Sequence, residues 1–175
     1  MLVAAAIAGA VIIATGAIAA VTGLTFASAA RRWLSYPFAG IPARPGEAAA
    51  IFLHNVQALT AVAGLLLVAQ SAHWARNVDA GPLHRAVRRG GELLLTAGVL
   101  ANVVLVGASL GAYGPRMVRA VLPHGPAELM AYALALALYL QGRDTPLPTR
   151  HALAITGMAI SLLALAALLE TFVNV

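Results

Sequence analysis

Leu122-Pro123-His124-Gly125-Pro126-Ala127-Glu128-Leu129 heads an apolar run that ends near residue 142. The stretch sets an imidazole and a carboxylate where a strongly apolar chain should resist them. A bilayer core about 30 Å thick takes about 20 residues of apolar helix. This run nearly suffices, and counted as a span it is the fourth of five.

The remainder of the chain supports that count. Of 175 residues, 61% are apolar and 10% charged, whereas a soluble globular domain carries about 25% charged residues. The expected fold is all-α: one polytopic transmembrane helical bundle filling residues 1–175 as a single domain. Spans are expected at about 3–29, 48–72, 92–114, 126–142 and 151–174. Helices are required because hydrocarbon offers no partner to open backbone groups. Ala27-Ser28-Ala29 resembles a signal-peptidase site, but Met1-Leu2-Val3 supplies no basic start and the apolar run is too long for a signal peptide. The first segment therefore reads as a span.

All eleven basic residues are Arg, the net charge is +5, and there is no Cys. The Arg residues sit in short loops between apolar runs. They read as topology determinants and headgroup contacts, not as a nucleic-acid surface. Five alternating spans put Arg31, Arg32, Arg44, Arg116 and Arg119 on one face. Arg76, Arg85, Arg88, Arg89, Arg143 and Arg150 fall on the other, with the N-terminus. Six against five slightly favours a cytoplasmic N-terminus and an outside C-terminus. The loop at 73–91, with Arg76, Arg85, Arg88 and Arg89, is the expected docking surface for a partner. Within it, Pro82 to Arg89 reads as a short interfacial helix. Residues 31–47, with Trp33, Tyr36 and Phe38, read as an extended surface crossing. Pro115 to Pro123 carries Arg116 and Arg119 on one face of an apolar stretch, the pattern of an interfacial or re-entrant segment.

Polar groups enter the spans at His54, Asn55, Asn102, Glu128 and Glu170, with His124 just outside. Intramembrane ionisable groups are costly and point to function or to a named partner. At 1.5 Å per residue His54 lies roughly 9 Å into its helix. His124, Glu128 and Glu170 fall at similar depths from the same face. One polar cluster in one half of the bilayer is therefore expected, with Asn102 deeper as packing glue. Each group also has an ordinary reading. Glu128 lies two residues after Pro126 and faces the positive end of its own helix; His54 and Asn55 are common interhelical hydrogen-bond partners. No tight ligand spacing such as H-E-x-x-H appears, so neither metal nor haem is expected. Ser109 and Ser161 are lone hydroxyls without a base, so no intramembrane hydrolase is expected. Gly107 and Gly111 form a G-x-x-x-G, which lets helix backbones approach closely.

Several of these stretches resemble one family. Phe52-Leu53-His54-Asn55 looks like the opening of its Asn-bearing second helix. Asn102 with Gly107 and Gly111 resembles its third helix. Leu122-Pro123-His124-Gly125 with Glu128 resembles its P-H-G-x-x-E run, and Leu169-Glu170-Thr171-Phe172-Val173 its terminal I-E-A-F-V signature. Over about residues 48–174 the chain resembles the SpoIIM-like (stage II sporulation protein M) membrane proteins. It departs at Thr171, at His54, and in its short segment before the second span. The resemblance implies a non-enzymatic, permease-like subunit of the inner cell membrane, without cofactor. It would work in a homo- or hetero-oligomeric complex, in some members with an ATPase, in transport, export or envelope remodelling. The alternative is a stand-alone ion or small-solute transporter using the His/Glu cluster. Glu128, Tyr132, Ala135 and Tyr139 share one helical stripe and are the residues expected to line its path.

Overall fold

The computed structural model describes residues 1–34, 40–74 and 81–173, and for 72–74 the backbone alone. Among the described residues the chain is all-α, without a strand. Helix α1, Leu2–Val21, runs through a π-helical turn at Thr22–Phe26 into α2, Ala27–Leu34. There follow α3, Pro45–Trp74, and α4, Pro82–Tyr113. The short α5, Pro115–Val121, precedes α6, Gly125–Gly142, and α7, Thr149–Phe172, closes the chain. The rods Leu2–Leu34, Pro45–Ser71, Pro82–Tyr113 and Thr149–Phe172 are each long and apolar enough to cross a membrane. The pair α5 and α6, bent by 64°, makes the fifth candidate span.

The helices begin where backbone chemistry dictates. Pro occupies the first turn of α4, α5 and α6, where its missing N–H costs nothing. Gly114 separates α4 from α5 at φ +56°, a region that strains any residue with a Cβ. α5 then meets α6 at a 64° bend, with Met117 buried and Arg116 and Arg119 exposed.

α6 is the axis. It packs on α1, α3 and α7, and Ala131, Ala133, Leu134, Ala135, Ala137, Leu138 and Tyr139 are all buried. Four of these seven are Ala, which lets three neighbours approach one helix closely. α7 answers with Ala159, Leu163, Ala166 and Ala167, also buried. α4 lies outside, against α1, α2 and the near end of α3. Large apolar side chains such as Ile12, Ile13, Leu93, Leu94 and Leu100 face outward, which suits hydrocarbon and would not suit water.

The G-x-x-x-G of α4 finds its partner in the same chain. A Cβ on Gly107 would sit 2.8 Å from Ile18 Cβ and 2.9 Å from Thr15 O. One on Gly111 would sit 2.8 Å from Thr22 Cβ and 2.9 Å from Gly23 N. α1 and α4 therefore meet backbone to backbone, at the site of the π-turn.

Two expectations are corrected. Pro82 to Arg89 is not a separate interfacial helix; it is the first part of α4, which runs unbroken through Gly90 and Gly91. Glycines cost a helix about 1 kcal/mol each, but Gly91 is packed on Leu65 Cδ1 and Arg88 pairs with Glu92 one turn on. Nor are residues 31–47 one extended crossing, since 31–34 complete α2 and Pro45 begins α3. Tyr36, Phe38 and Arg76 lie outside the described residues.

Candidate functional site

α3 and α6 run parallel and α7 antiparallel to both, which brings the start of α3, the start of α6 and the end of α7 to one end of the bundle. Asn55 Nδ2 donates to Glu128 Oε1 at 2.5 Å. Tyr132 OH donates to Asn55 O at 3.2 Å. Glu128 is half-buried, and its electrostatic neighbours are His124, Glu170 and His54. His124 caps α6 by position without a side-chain cap bond. Its Nδ1 is buried and has no hydrogen-bond partner among the described residues. His54 itself is exposed on α3. Glu128 thus sits in the first turn of α6, yet its carboxylate reaches across to α3.

Asn102 does not join this cluster. It is exposed on α4 and bonds back to Gly98 O of its own helix at 3.1 Å. The stripe Glu128, Tyr132, Ala135 and Tyr139 is packed against neighbouring helices, and Ala135 and Tyr139 are buried. No group of three or more His, Asp or Glu able to hold a metal occurs among the described residues.

A second polar layer lies at the opposite end, and it is absent from the expectations above. Gln70, buried on α3, reaches the last turn of α6 and the turn after it. Its Nε2 donates to Gly142 O and, at 2.9 Å, to Thr145 O. Leu147 N donates back to Gln70 Oε1 at 3.1 Å. From α4, Arg88 donates to Arg143 O and to Asp144 Oδ1, each at 3.2 Å. Tyr139 OH donates to Glu92 Oε1 at 2.7 Å, and Arg88 Nε stands 3.5 Å from the same oxygen. His84 Nε2 donates to Val68 O at 2.7 Å, joining α4 to α3.

Arg88 is half-buried in this layer, while Arg85 and Arg89 are exposed. The i,i+4 spacing of Arg88 and Glu92 was the available signal for this layer. Gln70 gave none, because one amide in an apolar run has no spacing to read.

The two layers fix the register of α3 on α6. Asn55 and Gln70 are fifteen residues apart; Glu128 and Gly142, the groups they grip, are fourteen apart. At 1.5 Å per residue these are about 22 and 21 Å. Apolar helices packed through small residues, with polar side chains tied at both ends, define a multi-pass membrane protein. No protein-family model matches the chain, and no curated protein or solved structure is matched to it. The SpoIIM-like resemblance thus rests on the motifs quoted above.

Proposed function

We propose that the chain is a non-enzymatic, permease-like subunit of a larger complex in the cell membrane, in the manner of SpoIIM-like proteins. One observation carries this reading. Several polar groups, Asn55, Gln70 and Tyr139 among them, spend their hydrogen bonds on joining one helix to the next, as in Asn55–Glu128, Gln70–Gly142 and Tyr139–Glu92. Ser161 donates to Gly157 O of its own helix and has no base beside it. A scaffold of this kind takes its energy and its chemistry from other chains. The partner is a second membrane protein or an ATPase, and exposed Arg85 and Arg89 are its contact. The N-terminus lies in the cytoplasm. Purification of the full chain in mild detergent should return stoichiometric partner subunits; a lone stable monomer would overturn the reading.

A second reading is favoured by the unpartnered His124 Nδ1 one turn from Glu128, with Glu170 and His54 nearby. Such a group suits a proton or small-cation relay. Under that reading Glu128→Gln and Glu170→Gln accumulate normally but abolish ion flux in proteoliposomes. Unchanged flux in both variants would exclude it.

A further inference from the structure

Asn102 is an amide in the wrong place for a monomer. It stands eleven residues before the end of α4 at Tyr113, about 16 Å along the helix. That is the middle of a bilayer core about 30 Å thick. One N–H reaches Gly98 O. The carbonyl and the second N–H have no partner among the described residues and face outward. Hydrocarbon leaves such groups unsatisfied.

The surface around Asn102 is shaped for another helix. Leu94, Gly98, Asn102 and Leu105 are all exposed, and Gly98, Asn102 and Leu105 recur at spacings of four and three. That spacing makes one continuous seam for a left-handed helix pair. A Cβ on Gly98 would meet nothing within 4 Å, so the seam has a shallow notch beside the amide. α1 does not compete for it, because α1 occupies the Gly107 and Gly111 face.

We propose that this seam joins α4 to α4 of a second copy of the chain across a two-fold axis, with the two Asn102 amides hydrogen-bonded to each other. The commitment to a second copy follows from the amide's own complementarity. It carries both donor and acceptor, so its symmetry mate offers what it lacks. An apolar partner would leave both groups unpaired. The dimer is independent of which other subunits the complex contains.

The chain has no Cys, so single cysteines report cleanly. Leu94→Cys, Gly98→Cys and Leu105→Cys, made separately in the full chain and oxidised in native membranes, should give a disulfide-linked band of twice the monomer mass. Val103→Cys, buried toward the bundle, and Ile13→Cys, exposed on α1, should not. Adding Asn102→Leu to Leu105→Cys should weaken dimerisation about three- to thirtyfold, the range for an interhelical hydrogen bond in lipid. Asn102→Gln should restore it. Equal cross-linking at Ile13→Cys would show collision alone and overturn the proposal. So would cross-links at the seam to a different protein, or none.

Discussion

Glu128 and Gln70 solve the same problem differently. Each is a polar side chain within an apolar bundle, and each finds its partner on another helix. Glu128 uses one carboxylate oxygen to accept from Asn55. An amide oxygen can take that role, so Glu128→Gln should accumulate in membranes near the parent level. Glu128→Ala leaves the Asn55 amide unpaired and should cost about 1–3 kcal/mol, read as a lower midpoint in detergent unfolding. Gln70 makes three bonds, one to the last residue of α6 and two to the turn that follows. Gln70→Leu should cost a similar amount, about 1–3 kcal/mol, and open the turn at Thr145 to proteolysis. Glu128 was legible in the sequence because a carboxylate beside Pro126 breaks an apolar pattern. Gln70 was not, because its partners are backbone atoms seventy-odd residues away, and no spacing rule reaches that far.

Among the elements, α1 and α4 show how glycine position decides packing. Gly111 is filled by the backbone of α1, so a methyl group there must push the helices apart. Gly111→Ala should destabilise by about 1–3 kcal/mol, the usual cost of overpacking. Gly64→Ala, with nothing within 4 Å of the added atom, should be neutral or slightly stabilising by helix propensity. Thermal unfolding of both variants in one detergent separates the two cases. The G-x-x-x-G was visible in the sequence; its partner helix was not, since any small-residue face would serve. The length of α4 was misjudged for a related reason. The apolar run opens only at Glu92, and the Leu65 contact under Gly91 and the Arg88–Glu92 pair show why the helix runs on from Pro82.

For the molecule as a whole, the fold class followed from composition and from the lengths of the apolar runs. The arrangement of the helices did not. Five apolar runs carry almost no amphipathic signal, because lipid and bundle interior are equally apolar. That α6 is central is a matter of shape, written in its alanines and in the residues that close on them. The same physics changes what a core mutation costs. Leu163 is fully buried, yet its unfolded reference is already in hydrocarbon, so only the cavity contribution remains. Leu163→Ala should fall toward the lower end of the ~2–5 kcal/mol seen for buried Leu→Ala in soluble cores. Leu93→Ala, 72% exposed, should change unfolding in detergent little.

The two grips that α3 holds on α6 bear on how the protein meets membranes of different thickness. Two helices joined at one height can slide past each other when the hydrocarbon layer swells or thins. Joined near both ends, as by Asn55 and Gln70, they cannot shear without breaking a bond at each end. The cheaper response to mismatch is a change of tilt, and here the pair must lean as one body. In bilayers of longer acyl chains α3 and α6 should stand more upright together, and in shorter ones recline together. Spin labels on the two helices should keep a constant separation throughout. The clamp turns bilayer thickness into an angle, and the 64° bend between α5 and α6 is where that angle would first be felt.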